Sequence, residues 1–161
     1  MPARVERGDI ASNATTANKQ TGKFYEREMR EFLAAYPANN IWQGAFIERM
    51  DYAYAAADLV ISRSGACTVS ELCLEGKPTI FVPSPNVAED HQTKNAMALV
   101  EKGAAVMVRN SNAVESCMSE AMELLKNPRK LKTLSTNISK LAIPDSADRI
   151  VDQIAKYFKE R

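Results

Sequence analysis

The sequence predicts an α/β fold, a parallel sheet with helices on both faces. Short apolar runs at 59–61, 79–82 and 104–108 are typical of buried strands, and helical patterns of apolar side chains lie between and after them. Strands that alternate with helices are joined by right-handed crossovers, which produce a parallel sheet. Ligands of such sheets bind where the carboxyl ends of strands lead into helices, which directs attention to residues 63–71 and 83–95.

The chain is long enough for one domain, and its beginning differs from the rest. Residues 1–20 are polar and lack periodicity, which predicts a disordered tail or an expression remnant, with the folded domain over 21–161. A helix is predicted over 23–35, where Pro37 stops it. Two short elements follow, a strand over 40–46 and a helix over 51–57.

Each later helix carries a start or stop signal. The signals are Gly76 as a C-terminal cap, Asp90 as the cap of a helix that runs to Gly103, Asn112 with Glu115 as a capping-box-like start, Asn127-Pro128 as a helix start, and Pro144 before the last helix. The apolar stripes of the last three helices are expected in the core. They are Val114, Met118, Met122 and Leu125; Leu131, Leu134, Ile138 and Leu141; and Ile150, Ile154 and Phe158.

Composition argues against several classes of protein. A net charge of +1 leaves no basic footprint for nucleic acid. The chain has neither an apolar run that could span a bilayer nor a secretory signal, so a cytoplasmic location is expected. The three cysteines form no C-x-x-C pair, and Cys73 and Cys117 are predicted to be buried apolar side chains. The single histidine, His91, cannot supply a multi-histidine metal centre, and we expect no metal or other cofactor.

The segment that begins at Arg63 joins the first apolar run to a helix. Gly65 allows a ligand to approach the backbone closely, while Ser64 and Thr68 add hydroxyl groups. The helix start presents unpaired N–H groups and roughly half a positive charge, which suits a diphosphate. An ordinary strand-to-helix turn with a Ser or Thr cap explains the same residues equally well, because the segment is neither a P-loop nor a G-x-G-x-x-G motif.

Glu71 also has two interpretations. Thr68-Val69-Ser70-Glu71 fits a capping box, in which the Glu71 carboxylate reaches back to the Thr68 N–H. A carboxylate about one turn into a helix can instead accept hydrogen bonds from two ribose hydroxyls. The local pattern favours the cap.

A second polar cluster opens the helix that follows the second apolar run. His91, Gln92 and Asn95 fall at i, i+1 and i+4, so one helical edge can offer several hydrogen-bonding groups to a sugar. The alternative is a solvated first turn with Asp90 as its cap. A flat base can be flanked by the side chains of Phe46, Ile47 and Met50. Side chains of this kind more often belong to a core.

Four segments resemble the MurG family of glycosyltransferases in order and spacing, within a resemblance that covers about residues 20–158. They are Phe46-Ile47-Glu48-Arg49-Met50, ADLVISRSGACTVSE at 57–71, GKPTIFVP at 76–83, and DHQTKNA at 90–96. The most specific part is RSGA-x-T-x-x-E followed by DHQ-x-x-NA. The resemblance implies a two-lobed fold of the GT-B type, whose Rossmann-like C-terminal lobe holds a nucleotide sugar.

The resemblance implies that UDP-N-acetylglucosamine is the ligand, and the family's contacts with it can be carried over by position. The implied contacts are Ile47 with the uracil; Glu71 with the ribose; Ser64, Gly65, Ala66, Cys67 and Thr68 in the diphosphate loop; and His91, Gln92 and Asn95 with the N-acetylglucosamine. Arg63 either meets phosphate or braces the loop by a salt bridge.

The implied reaction transfers N-acetylglucosamine to the muramyl hydroxyl of lipid I with inversion, in peptidoglycan synthesis, by an enzyme peripheral on the cytoplasmic face of the inner membrane. The family's N-terminal lobe, which binds lipid I and the membrane and holds the candidate base, has no counterpart in this sequence. No catalytic residue is therefore assigned, and the chain alone is expected to be inactive. Two alternatives stay open, a stand-alone nucleotide-sugar-binding module and one subunit of a split two-chain glycosyltransferase.

Overall fold

The computed structural model of the chain describes residues 15–86 and 90–159. The chain divides into two compact units, Met1–Ala53 and Tyr54–Arg161. None of the helices in the described part combines the length and the apolar character that a bilayer span requires.

The first unit contains a parallel β-α-β arrangement. Strand β1 (Ala17–Gln20) leads into helix α1 (Gly22–Ala35) and then into strand β2 (Ile41–Gly44). The two strands pair in parallel along their whole length. The helix predicted over 23–35 and the strand predicted over 40–46 are confirmed, and the strand is shorter at both ends.

Strand β1 corrects the prediction of disorder for residues 17–20 alone. All four of its side chains, at residues 17–20, are exposed. A strand with no buried face shows no alternation of apolar and polar residues, so the sequence carried no signal for it. Its stabilisation comes from backbone pairing with β2. Residues 1–14 lie outside the described residues, and for them the prediction stays untested.

The second unit is built on a three-stranded parallel sheet. Its strands are β3 (Val60–Ser62), β4 (Thr79–Phe81) and β5 (Val106–Met107), in the order β3-β4-β5. Helix α3 (Ala66–Glu75) connects the first two strands, and helix α4 (His91–Val100) lies between the second and the third. All three predicted strands are confirmed. Ahead of this sheet, helix α2 (Met50–Ala56) confirms the short helix predicted over 51–57.

The first apolar run is less buried than predicted. The run at 59–61 is typical of a strand buried on both faces, yet Ile61 keeps 44% of its surface exposed. The reason is position in the sheet, because β3 lies at one edge and pairs only with β4 among the described strands. The central strand β4 has the predicted character, with all three of its residues buried.

Helices cover both faces of this sheet. Ile80 and Phe81 are neighbours in β4 and point to opposite faces, and each is fully buried in a different core cluster. Phe81 packs with residues of α3 and α4, whereas Ile80 packs with residues that follow β5. The elements after β5 are a 3-10 turn (Asn110–Asn112), α5 (Ala113–Leu125), α6 (Pro128–Ser139) and α7 (Ser146–Lys159). The predicted α/β fold is confirmed.

The apolar stripe predicted on α5 is wrong in its first half. Val114 and Met118 are 97% and 64% exposed, whereas Ala121 and Leu124 are buried and Cys117 packs beside them. The core-facing edge is therefore one residue earlier than the predicted one. Small side chains allow the helix to approach its neighbours closely, and a search for large apolar residues overlooks them.

The stripe on α6 is confirmed and the stripe on α7 is not. Leu134 and Ile138 of α6 are buried. On α7, by contrast, Ile150, Ile154 and Phe158 are all exposed. An apolar stripe indicates that a helix face can be buried, but it carries no information about what covers that face.

Two of the three cap predictions for α3, α5 and α6 hold. Gly76 ends α3 in the left-handed conformation at φ 62°, and the Asn127 side chain accepts a hydrogen bond from the Lys130 N–H at 3.0 Å. Asn112 precedes α5, but its side chain makes no cap bond. Asn112 is the last residue of a 3-10 turn and has φ −105° and ψ 0°, whereas an N-cap side chain reaches the first turn from the extended region.

We expect Asn127→Ala to lower the free energy of unfolding by about 1 kcal/mol, because the first turn of α6 loses its cap. Asn112→Ala is the matched control, since it removes the same side chain from an N-cap position without a cap bond. It should change stability by less than about 0.5 kcal/mol. Urea unfolding followed by circular dichroism measures both, and equal losses would show that the cap bond contributes nothing.

Candidate functional site

The loops that leave the three strands of the second unit meet at one edge of the sheet. Residues 63–65 follow β3, residues 82–86 follow β4 and residues 108–110 follow β5. Because the strands are parallel, all three loops lie at the carboxyl edge, and α3 begins there. This is where the sequence directs the search for a site.

Arg63 ties these three loops together. Its Nη1 donates to the carbonyl oxygens of Val82 (3.0 Å) and Pro83 (3.2 Å) and to the Oδ1 of Asn110 (2.7 Å). The structure therefore makes Arg63 a brace, although its partners are neutral acceptors rather than the acidic side chain of a salt bridge. Among the described residues no carboxylate lies within salt-bridge distance of Arg63.

Ser64 joins the loop after β3 to the start of α4. Its side chain is fully buried, and its Oγ donates to the Gln92 carbonyl oxygen at 2.7 Å. Its own carbonyl oxygen accepts from the Nδ2 of Asn95 at 3.0 Å. The expectation that this hydroxyl faces a ligand is therefore corrected, because the hydroxyl is enclosed and occupied by Gln92. Ser64 positions the loop and does not present a polar group to solvent.

The start of α4 is arranged differently from the predicted capped turn. Asp90 occupies the N-cap position in the left-handed conformation, at φ 54°, and its side chain makes no cap bond. The expected cap is wrong, because an N-cap side chain folds over the first turn from extended backbone. The Gln92 Oε1 instead accepts from the Ser84 N–H at 2.9 Å, which attaches the loop after β4 to the helix.

Polar atoms remain available along this edge of α4. Within the described residues no hydrogen bond occupies the Gln92 Nε2 or the Asn95 Oδ1. The His91 side chain is exposed at the first position of the helix. The structure thus brings His91, Gln92 and Asn95 onto the helix start, as their spacing predicts. One atom of the Gln92 side-chain amide and one of the Asn95 amide hold the loops.

The start of α3 has the geometry of an anion site. Gly65 is the N-cap, with φ −64° and ψ 150°, and the first helical hydrogen bond runs from the Val69 N–H to the Gly65 carbonyl at 2.9 Å. The N–H groups of Ala66, Cys67 and Thr68 therefore have no acceptor within the helix, and none of the described side chains caps them. Apart from Gly65 and its two neighbours in the chain, no atom in the described part of the protein lies within 4 Å of the place where a Cβ of residue 65 would stand. A negatively charged group can approach this backbone directly.

The position of the helix start decides between the two interpretations of Glu71. A capping box needs Thr68 as the N-cap, but α3 begins at Ala66 with Gly65 as N-cap, so Thr68 lies inside the first turn. The capping-box interpretation is wrong. The Glu71 side chain is exposed, and its Oε2 accepts a hydrogen bond from the Tyr54 hydroxyl at 3.3 Å. Burial, followed by the negative charge of Glu71, raises the pKa of Tyr54 above its ordinary value.

Ile47 belongs to the first unit, between β2 and α2. Its side chain is half-buried, and its N–H donates to the Oε1 of Gln20 at 2.9 Å. Phe46 beside it is exposed. The other predicted site residues, from Arg63 to Asn95, all lie in the second unit.

The cysteines follow the sequence prediction. Cys73 is buried and Cys117 is half-buried, and burial raises the pKa of both thiols. Cys67 is exposed in the first turn of α3. No group of three or more His, Cys, Asp or Glu side chains in the described part of the chain is placed to hold a metal ion.

Three residues of this region were not singled out by the sequence. Ser84 and Asn110 follow strands at the carboxyl edge, and their place after an apolar run is a signal that could have found them. Tyr54 lies 17 residues before its partner Glu71, and no local pattern connects the two.

Comparison with known proteins gives consistent matches. Residues 8–150 match the family model described as the glycosyltransferase family 28 C-terminal domain. Relatives from Parabacteroides distasonis (54% identity over 142 residues) and Porphyromonas gingivalis (55% over 137) are named UDP-N-acetylglucosamine–N-acetylmuramyl-(pentapeptide) pyrophosphoryl-undecaprenol N-acetylglucosamine transferase. These matches cover 88% and 85% of this chain but 39% and 36% of the relatives, so the chain spans less than half of their length.

Solved structures agree with the family match. The crystal structure of Acinetobacter baumannii MurG aligns with a TM-score of 0.76 at 34% identity, over 86% of this chain and 42% of that one. The glycosyltransferase VinC in complex with dTDP aligns at 0.58 with 14% identity, over 81% of this chain and 38% of that one. The similarity to VinC concerns the fold alone.

The backbone at Gly65 is one that any residue can adopt, but Ala is a poorer N-cap than Gly, and since the two effects oppose each other we expect Gly65→Ala to change the free energy of unfolding by less than about 1 kcal/mol. Gly76→Ala is the contrasting variant, because its φ is 62° and a new Cβ would press against the Ser139 Oγ. It should destabilise by more than about 1 kcal/mol. Thermal and urea unfolding measure both variants. A Gly65→Ala protein destabilised as much as the Gly76→Ala protein would mean that the fold itself requires this glycine.

Proposed function

The chain belongs to the glycosyltransferase family 28 C-terminal domains, and we propose that it is the donor-binding lobe of an inverting transferase that uses UDP-N-acetylglucosamine. The observation that carries the proposal is the start of α3, where three N–H groups, an open glycine and a carboxylate one turn further on lie on a single helix. These groups match a diphosphate and the ribose attached to it.

The diphosphate is proposed to lie against the first turn of α3. The N–H groups of Ala66, Cys67 and Thr68 are its donors, and the helix dipole favours negative charge at this end. Gly65 admits the phosphate oxygens because no side chain stands over the backbone. The Gly65→Ala variant should therefore bind UDP more weakly although its fold is retained. Arg63 adds positive potential without touching the ligand, since its guanidinium braces the loops.

The ribose is proposed to lie against Glu71. Its carboxylate has no role as a helix cap, it is exposed, and it follows the diphosphate-binding turn on the same helix. An ionised carboxylate accepts hydrogen bonds from both hydroxyls of a vicinal diol. The assignment of Ile47 to the uracil stays a prediction from the family resemblance.

The N-acetylglucosamine is proposed to lie against the start of α4. His91, Gln92 and Asn95 supply hydrogen-bonding atoms there, and Ser64 connects this helix start to the loop in front of α3. Two different helices would thus contact the two ends of the nucleotide sugar. This separation is the basis for testing them independently.

The whole protein is proposed to transfer the sugar to the muramyl hydroxyl of lipid I in peptidoglycan synthesis, at the membrane surface. The names of the relatives support this acceptor, an N-acetylmuramyl-(pentapeptide) pyrophosphoryl-undecaprenol. The residues of α3 would promote transfer by holding the donor and by stabilising the negative charge that develops on the departing UDP. We assign none of them to deprotonation of the acceptor.

Isothermal titration calorimetry of the chain with UDP-N-acetylglucosamine and UDP tests the proposal, and Glu71→Gln is its sharpest variant. We expect both ligands to bind, and the variant to lose about 1.5–3 kcal/mol of UDP affinity, the range for hydrogen bonds to a charged group. Stability should hardly change, because the Glu71 side chain is exposed.

Glu75→Gln is the matched control, since it removes the same charge from the exposed last turn of α3. It should leave UDP affinity within about 0.5 kcal/mol of the original value. Absence of binding by the original chain would refute the donor-lobe proposal. Binding that survives Glu71→Gln would refute only the ribose assignment.

The sugar end is tested by His91→Ala and Asn95→Ala. We expect His91→Ala to weaken UDP-N-acetylglucosamine by about 0.5–1.5 kcal/mol while UDP affinity and stability stay the same, because the His91 side chain is exposed. Asn95→Ala should weaken the same ligand and also lower the free energy of unfolding by about 1–3 kcal/mol, since the Ser64 carbonyl loses its donor. Equal weakening of UDP and the nucleotide sugar by His91→Ala would remove the sugar-reading role.

A further inference from the structure

Glu71 has a neighbour that neither the sequence nor the family match assigns to the site. The Tyr54 hydroxyl donates to the Glu71 Oε2 at 3.3 Å. The donor is one oxygen of a phenol and the acceptor is one of two carboxylate oxygens. The Oε1, and further lone pairs on Oε2, stay open to other donors. At this length the contact is weak, so it adds little to the stability of the fold.

Tyr54 is itself held in place from two sides. Its ring is half-buried against the core cluster that contains Leu72 and Cys73, the two residues after Glu71 on α3. The end of α2 that follows Tyr54 is fastened by Lys77, whose Nζ donates to the carbonyl oxygens of Ala55 (3.4 Å) and Ala57 (3.2 Å). The hydroxyl therefore projects from a fixed ring toward a flexible, exposed carboxylate.

A fixed hydrogen-bond donor reduces the entropy that a glutamate side chain loses when it binds a ligand. A free Glu side chain populates many rotamers, and ordering it on ligand binding costs up to about 1.5–2 kcal/mol. A contact that already holds one oxygen reduces this cost and presents the other oxygen in a defined direction. The Tyr54 hydroxyl is protonated, and therefore a donor, throughout the neutral range, because a phenol loses its proton only near pH 10 and the pKa of Tyr54 is raised further by burial.

We propose that Tyr54 is a positioning residue that orients the Glu71 carboxylate toward the vicinal diol of a nucleoside diphosphate. The inference rests on the proposed function, since it concerns the same ribose contact. Tyr54 does not touch the ligand in this arrangement. It sets how well the site distinguishes a ribonucleotide from one that lacks the 2′ and 3′ hydroxyls.

The test is calorimetry with UDP and 2′,3′-dideoxy-UDP on four forms of the chain: unaltered, Tyr54→Phe, Glu71→Gln and the double variant. Tyr54→Phe keeps the ring and its packing and removes only the hydroxyl. We expect Tyr54→Phe to weaken the binding of UDP roughly three- to tenfold and to leave the binding of dideoxy-UDP unchanged. In the Glu71→Gln background the same change should have no further effect on UDP, because the oriented carboxylate is already absent.

Tyr157→Phe serves as the control, since it removes a hydroxyl from an exposed tyrosine of α7. Binding is measured where circular dichroism shows every variant folded. If the unaltered chain prefers UDP and Tyr54→Phe retains the full preference, the inference about Tyr54 is overturned while the proposed function stands. If the unaltered chain binds both nucleotides equally, the ribose contact is absent, and the inference about Tyr54 fails together with the ribose assignment, whereas absence of UDP binding would refute the donor-lobe proposal itself. Additive losses in the double variant would also overturn the inference, because Tyr54 would then act independently of Glu71.

Discussion

The buried hydroxyl of Ser64 is the contact on which the arrangement of the site depends. A buried hydroxyl without a partner is costly, and this one is satisfied by the Gln92 carbonyl at the start of α4. The Ser64 carbonyl is satisfied in turn by the Asn95 side chain. Two helices that follow different strands are thereby held with their N-termini near the same loop. An anion at one helix start and a polar group at the other can then belong to one molecule.

Arg63 extends this frame to the third loop of the sheet edge. Its guanidinium joins the loop after β4, through Val82 and Pro83, to Asn110 after β5. Since these acceptors are neutral, the group braces the loops and still contributes a positive field. Gly65 lies two residues further on, and the space that a side chain would fill there is open among the described residues. The frame is therefore rigid on one side of the loop and open on the other, as a site for a charged ligand requires.

Most of the fold could be predicted because its signals are local. The apolar runs at 79–82 and 104–108, the left-handed Gly76 and the Asn127-Pro128 helix start all follow from neighbouring residues. The errors have physical reasons. Strand β1 has no buried face, and the buried edge of α5 is made of small residues such as Ala121. Thr68 and Glu71 have the spacing of a capping box, but the helix begins earlier, at Ala66, so the local pattern was present without its structural role.

The sequence predicted which loops and helix starts lie at the carboxyl edge of the sheet, but not the contacts that connect them. The bonds that fix it span long separations, 47 residues for Arg63 with Asn110 and 17 for Tyr54 with Glu71, and no spacing rule connects such pairs. Only the folded chain shows which of these side chains hold the loops together. Ser64 and Arg63 do so, although the sequence offered the Ser64 hydroxyl to a ligand and left Arg63 open between a phosphate contact and a brace.

The frame also determines the chemistry that α4 offers. The Gln92 Oε1 is engaged by the Ser84 N–H, so the group without a partner among the described residues is the Nε2, a donor. The Asn95 Nδ2 is engaged by the Ser64 carbonyl, and in the same part of the chain its Oδ1, an acceptor, has no hydrogen bond. Two chemically similar side chains thus present opposite polarity in fixed directions. Under the proposed function, a donor and an acceptor one helical turn apart can read a carbonyl and a hydroxyl or N–H of the same sugar. An epimer or a sugar without the acetamido group would leave one of these atoms unpaired, and that penalty is the physical basis of selectivity.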